Sequence, residues 1–176
     1  MEQALSFDDV LLVPQYSEIA SRSEVDTSFS MRALREFQLP IVSSPMDTVT
    51  GEEMACAISQ AGGVGVLHRY NSIKEQALMV MNITSQGHDV GAAIGVGEGF
   101  LERAMALAQV GVSFLCVDVA HGHHSSVRYA LETLRNTLGD GIHIMAGNVA
   151  TLQGFNDLAD WGADSIRVGI GGGSIC

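Results

Sequence analysis

After Pro40 one rhythm dominates the chain: a short apolar run, a stretch of helical period, then a glycine, repeated to the end. Six apolar runs, at residues 41–44, 64–67, 90–94, 114–117, 143–146 and 165–168, read as strands. They are rich in β-branched and small residues and too short for helices. Between them residues 52–61, 73–82, 98–110, 125–138 and 152–161 carry the helical period. Gly62, Gly111, Gly139 and Gly162 close four of those helices, the residue type that tolerates a left-handed C-terminal cap. Each strand-plus-helix unit takes roughly 22 to 28 residues, a spacing typical of parallel α/β folds. The runs are apolar on both faces, as expected of strands covered by helices.

An open doubly wound sheet and a closed barrel share this periodicity. Two features favour the barrel. Polar residues gather just after the strands, as at Asp47, Asp118 and Asn148, and a barrel brings those positions to one face. No G-x-G-x-x-G follows the first strand, as a dinucleotide-binding open sheet would prefer. The expected fold is therefore an α/β (β/α)₈ TIM barrel with about six of its eight units present, one domain over residues 1–176. Residues 1–38 read as an N-terminal packing arm with little regular structure, and residues 39–176 as barrel units one to six.

The formal net charge is −11, which disfavours non-specific binding to nucleic acid or to an anionic membrane. A small phosphorylated ligand stays open, because backbone N–H groups hold a phosphate without basic side chains. The three cysteines are widely spaced and form no C-x-x-C, against both a disulfide framework and a zinc site. No basic-then-apolar leader opens the chain and no apolar run approaches membrane-spanning length, so a cytoplasmic setting is expected.

Four segments could carry chemistry. The tail, Arg167-Val168-Gly169-Ile170-Gly171-Gly172-Gly173-Ser174-Ile175-Cys176, combines a glycine-rich loop with a cysteine. Such a loop lets a ligand approach the backbone, its N–H groups can nest a phosphate, and its carbonyls can hold a cation. Nearby N–H groups could stabilise a Cys176 thiolate. The alternative is a flexible terminus with an incidental cysteine. Residues 43–50 leave the first strand with Met46 and Asp47 at the loop tip, and Thr50 reads as an N-cap with Glu53 three residues on. Asp118 ends a strand before His121, His123 and His124, a placement suited to ribose hydroxyls; a polar rim loop explains the histidines better than a metal site. Asn148 could bind a ligand or cap the next helix. Cys56 and Cys116 read as inert core residues.

In order along the chain, Phe7-Asp8-Asp9-Val10-Leu11-Leu12-Val13-Pro14, Ser44-Pro45-Met46-Asp47-Thr48-Val49-Thr50, Gly62-Gly63-Val64-Gly65-Val66-Leu67-His68-Arg69, Gly147-Asn148-Val149 and the tail resemble the IMP dehydrogenase and GMP reductase family. That resemblance implies a (β/α)₈ barrel assembled as a homotetramer. It implies that Cys176 is the catalytic nucleophile, attacking carbon 2 of the purine of a bound nucleotide, IMP or GMP. In a dehydrogenase a hydride then passes to NAD and water releases XMP; in a reductase GMP loses ammonia and NADPH returns a hydride. Ser174 matches the serine holding the nucleotide phosphate, and Ser44, Met46 and Gly173 border the substrate. Asp118 matches the aspartate of the nicotinamide ribose, with Gly169 and Gly171 beside the cofactor. Asn148 and Arg167 match residues near the carboxamide and the reacting ring. The carbonyls of Gly171, Gly173 and Cys176 match the ligands of a potassium ion.

The wording around Ser44, Gly63 and His121 looks more like dehydrogenases. The Ile144-Met145-Ala146-Gly147-Asn148 wording and the absence of an inserted regulatory domain at residues 84–89 look more like reductases. NAD-dependent oxidation of IMP to XMP is the favoured expectation, NADPH-dependent reduction of GMP the alternative. Gly172 stands where the family often has proline or serine. Units seven and eight of the barrel are not in this sequence. The expectation is therefore a chain inactive by itself, or a non-catalytic half that docks a second chain carrying the remaining units.

Overall fold

The computed structural model describes residue 5, residues 7–32 and residues 34–171. Two short strands, β1 (Phe29–Ser30) and β2 (Glu36–Phe37), form an antiparallel hairpin. Then follow β3 (Val42–Ser43), α1 (Glu52–Gln60), β4 (Val64–Leu67), α2 (Ile73–Ser85), β5 (Val90–Ile94), α3 (Phe100–Gln109), β6 (Phe114–Asp118), α4 (Ser125–Leu138), β7 (His143–Val149), α5 (Leu152–Asp160) and β8 (Ser165–Val168). Strands β3 to β8 make one sheet in sequence order, and every neighbouring pair is parallel. The ends of β3 and β8 line one cavity together with residues of β4, β6 and β7. The sheet therefore curls toward closure, as six units of a (β/α)₈ barrel.

The period of two along each strand separates two cores. Outward residues such as Leu67, Ala92, Ile94, Leu115, Val117, Ile144 and Ala146 pack on Val80, Ile83, Leu107, Leu131, Leu134 and Leu158 of the helices. Inward residues Val64, Val66, Ala93, Phe114, Cys116 and Met145 form a second cluster with Met31 and Phe37 of the hairpin segment. Burying each large aliphatic side chain here contributes about 1.5–3 kcal/mol. Gly91 makes room for the inner cluster: a Cβ there would lie 2.3 Å from the Phe114 ring.

The hairpin is a short regular element at the end of the N-terminal arm. It tucks Phe37 and Met31 under the barrel, and polar contacts anchor it. His143 Nδ1 donates to the Arg32 carbonyl at 3.1 Å, so the neutral ring accepts from Ser165 Oγ at 2.8 Å through Nε2. Burial pushes the His143 pKa down, consistent with that neutral form. Asp164 accepts from Arg135, from Arg32 at 2.9 Å and from the Ile144 N–H at 2.8 Å. Further upstream Leu11 and Leu12 are 95% and 97% exposed. At the open edges of the sheet Ile41, Val42, Val168 and Ile170 are exposed as well.

The glycine caps follow the sequence reading, with positive φ at Gly62, Gly111, Gly139 and Gly162. Thr50 does not cap α1. Gly51 takes that position, and the Thr50 hydroxyl instead donates to Ser43 Oγ and the Ser44 carbonyl. A buried hydroxyl finds its partner in the adjacent strand end, which pins the loop of residues 44–50. Among the described residues no helix is long and apolar enough to cross a membrane.

Candidate active site

A cavity of about 340 Å³ opens at the C-terminal ends of the strands. Ser44 and Pro45 enter it from beyond β3, Val66 from β4, Cys116 from β6, Met145 and Asn148 from β7, and Arg167 and Val168 from β8. An α/β barrel builds its binding site at this end, because every strand delivers its following loop there.

Arg167 is the charged centre of the cavity. Its Nη1 donates to Asp118 Oδ1 and approaches the Cys116 sulfur at 3.8 Å. Burial works against the guanidinium charge, but Cys116 and Asp118 together hold its pKa above the ordinary value. Gly147 lets Arg167 lie close: a Cβ at that glycine would stand 2.7 Å from Arg167 Cβ and from its carbonyl oxygen. The Cys116 thiol is pushed up to about 12, first by burial, so it stays protonated at neutral pH.

Asn148 sits where β7 and β8 slip out of register, between Gly147 and Val149. Its backbone is held on both sides. The Asn148 N–H donates to the Val119 carbonyl at 2.9 Å, and the Asn148 carbonyl accepts from the Gly122 N–H at 2.7 Å. Its side-chain Oδ1 is buried and has no hydrogen-bond partner among the described residues. A buried unpaired acceptor costs about 1–3 kcal/mol, which a ligand N–H donor would recover. Asn148 is not the helix cap: Thr151 caps α5 through its hydroxyl, which accepts from the Gly154 N–H.

The structure thus brings together Ser44, Asn148 and Arg167, with Asp118 attached through its ion pair. Met46 is 44% exposed at the loop tip and does not line the cavity. Gly169 and Gly171 follow β8 with φ of 124° and 79°, the backbone that glycine alone adopts easily. Gly173, Ser174 and Cys176 lie outside the described residues.

His123 and His124 have separate partners. His123 Nε2 pairs with Asp157 Oδ2 at 2.7 Å, and His124 accepts from the Ser126 N–H at the start of α4. Among the described residues no group of three His, Cys, Asp or Glu side chains could hold a metal ion. Cys116, read from sequence as core, is both: buried, and part of the cavity wall. Its spacing of two from Asp118 on one strand was the available signal, since alternate residues share a face.

The chain is 32% identical over 217 aligned positions to an inosine-5'-monophosphate dehydrogenase of Cryptosporidium parvum, covering 99% of this chain and 53% of that protein. It is 31% identical over 175 positions to a GMP reductase of Mesoplasma florum, covering 98% of this chain and 54% of that protein. It is 33% identical over 176 positions to a GMP reductase of Variovorax paradoxus, covering 99% and 53%. The chain thus spans about half the length of these relatives. The IMP dehydrogenase / GMP reductase domain family matches residues 4–176. On that match, and on a strand-end cavity holding Ser44, Asn148 and Arg167, the chain belongs to the IMP dehydrogenase / GMP reductase family.

Proposed function

We propose that the protein takes part in NAD-dependent oxidation of IMP to XMP, with Cys176 as the nucleophile at carbon 2 of the purine. The observation that carries this reading is the buried Oδ1 of Asn148 in the cavity wall, which has no partner among the described residues. A nicotinamide carboxamide offers an N–H₂ group for it, so the residues present fit that cofactor. NAD supplies the hydride acceptor when bound.

The chain's own residues do the positioning. Asp118 Oδ1 is taken by Arg167, which leaves Oδ2 for ribose hydroxyls. Arg167 keeps further N–H groups for a carbonyl of the base or the carboxamide. Ser44 offers a hydroxyl at the opposite edge of the cavity. Gly169 and Gly171 let the loop after β8 pass close to the cofactor. Met46, Gly173 and Ser174 complete the nucleotide site in this reading, with Ser174 on the phosphate. Potassium belongs to the carbonyls of Gly171, Gly173 and Cys176 as a structural ion, and no chemistry runs through it. The working assembly is a cytoplasmic homotetramer.

A second reading, NADPH-dependent reduction of GMP, has its own support. The dehydrogenase alignment stretches over 217 positions for a chain of 176 residues, whereas the GMP reductase alignments run over 175 and 176. Extra segments therefore interrupt the match to the dehydrogenase.

The test assays the protein in the form isolated from its source. NADH formation from IMP and NAD supports the first reading; NADPH consumption with GMP and no reaction with IMP overturns it in favour of the second. Cys176→Ser is expected to lower either activity at least about 10³-fold, because a covalent step has no substitute nucleophile.

A further inference from the structure

His123 follows Asp118 in the loop between β6 and α4 and does not line the cavity. Its Nε2–H donates to Asp157 Oδ2 at 2.7 Å, since an ionised carboxylate only accepts. The bond ties that loop to α5. The two side chains are 31% and 32% exposed. At that exposure charge attraction alone contributes little. What the pair supplies is a fixed distance between loop and helix.

Helix α5 is shaped to receive the imidazole. Gly154, Asp157 and Trp161 recur at helical spacing and share one face. Glycine inside a helix is unfavourable. Here it makes room, because a Cβ at residue 154 would lie 3.3 Å from His123 Cβ and 3.2 Å from Thr151 Oγ1. The Trp161 ring lies against the imidazole, with centroids 5.9 Å apart. Arg128, near enough to feel the Asp157 charge, is itself bonded to Glu132 at 2.8 Å.

The same loop grips Asn148. The Gly122 N–H donates to the Asn148 carbonyl at 2.7 Å. The Val119 carbonyl accepts from the Asn148 N–H at 2.9 Å, and the Val119 N–H donates to the Gly147 carbonyl at 3.0 Å. The fit is close, since a Cβ at Gly122 would stand 2.9 Å from the Asn148 carbonyl oxygen. On its other side Asn148 falls where β7 and β8 slip out of register, so the strand ladder does not fix it there. A shift of the loop therefore moves the Asn148 backbone, and with it the buried Oδ1. We propose that His123 is a positioning residue for Asn148: its bond to Asp157 sets the 119–124 loop, and the loop sets the amide that faces the ligand. The effect on cofactor affinity rests on the reading that Asn148 meets a nicotinamide carboxamide. The effect on Asn148 itself does not.

NMR of the full chain tests this without any cofactor, by reading Gly122 and Asn148 directly. His123→Ala is expected to shift the Asn148 side-chain amide resonances and to speed exchange of the Gly122 N–H about tenfold. Exchange at Leu115 and Ile144, in the neighbouring strands, is expected to stay unchanged. His123→Gln, whose amide can reach the same carboxylate, is expected to keep Gly122 exchange within about threefold of wild type. That rescue separates positioning from bulk, because both variants take the imidazole away from Trp161. Asp157→Ala removes the bond from the helix side and is expected to match His123→Ala, which also covers a His123→Ala chain that fails to fold. Calorimetry with NAD and NADPH reads the consequence: whichever cofactor the wild type binds is expected to bind His123→Ala about tenfold more weakly. Unchanged Asn148 resonances and Gly122 exchange in the folded variants overturn the proposal. So does an equal change in His123→Gln and His123→Ala, or an unchanged affinity for a cofactor that the wild type binds. A wild type that binds neither cofactor overturns the cofactor reading of Asn148 instead, and the NMR result then decides the positioning role by itself.

Discussion

Gly91 and Phe114 show how closely the inner barrel is filled. The ring occupies the space that a side chain at residue 91 would need, 2.3 Å from an ideal Cβ. Gly91→Ala is therefore expected to cost about 1–3 kcal/mol by overpacking. Urea denaturation should show the loss, and adding Phe114→Leu should return part of it. Site residues were legible in proportion to how far local chemistry determines them. Asp118 and Arg167 end strands and carry charge, so their place at the strand ends follows from periodicity alone. The ion pair between them does not, because they are 49 residues apart and meet only across β7. Thr50 was misread for a related reason. The pattern threonine, two residues, glutamate fits a capping box, but the hydroxyl has a better partner in Ser43, which only the folded strand supplies.

Among the elements, the strands followed the sequence most closely, since β4, β5 and β8 begin and end where the apolar runs do. Helix α3 starts two residues later than its periodicity suggests, because Gly99 holds a left-handed φ of 78°. Helix α2 runs three residues further, to Ser85, where the Thr84 and Ser85 hydroxyls satisfy carbonyls of the preceding turn. The β1–β2 hairpin left no readable trace: two residues per strand are too few for alternation to register. Helix α2 also carries a reciprocal cap, with Ser72 Oγ accepting from the Glu75 N–H and the Glu75 carboxylate accepting from the Ser72 N–H. Ser72→Ala is expected to lower stability by about 1 kcal/mol. A shift of the thermal midpoint, with the barrel strands unchanged by hydrogen exchange, would place that loss in the cap.

For the whole molecule, the polar cluster beneath the barrel sets how stability depends on pH. Burial holds His143 below its ordinary 6.5, so the unfolded chain takes up that proton first. Stability is full above about pH 6.5 and falls as pH drops below it. Asp164 is buried, but the Ile144 N–H and Arg135 outweigh that and hold its pKa below the ordinary 3.8. Its contribution is complete above that value and is lost as pH falls through the folded pKa. Denaturation midpoints are expected to decline in two stages on acidification, and His143→Gln to remove the upper one. Asp164→Asn should cost about 1–3 kcal/mol at neutral pH, because the half-buried Arg135 guanidinium and the Ile144 N–H lose a charged acceptor. The same cluster has a consequence for the order of assembly. Each strand from β3 to β8 adds beside the one made just before it, so the sheet can grow as the chain emerges from the ribosome. Arg32 must wait for Asp164, 132 residues later. The earliest hairpin to be synthesised is thus among the last parts to find its place, and until then the underside of the nascent barrel is open to water.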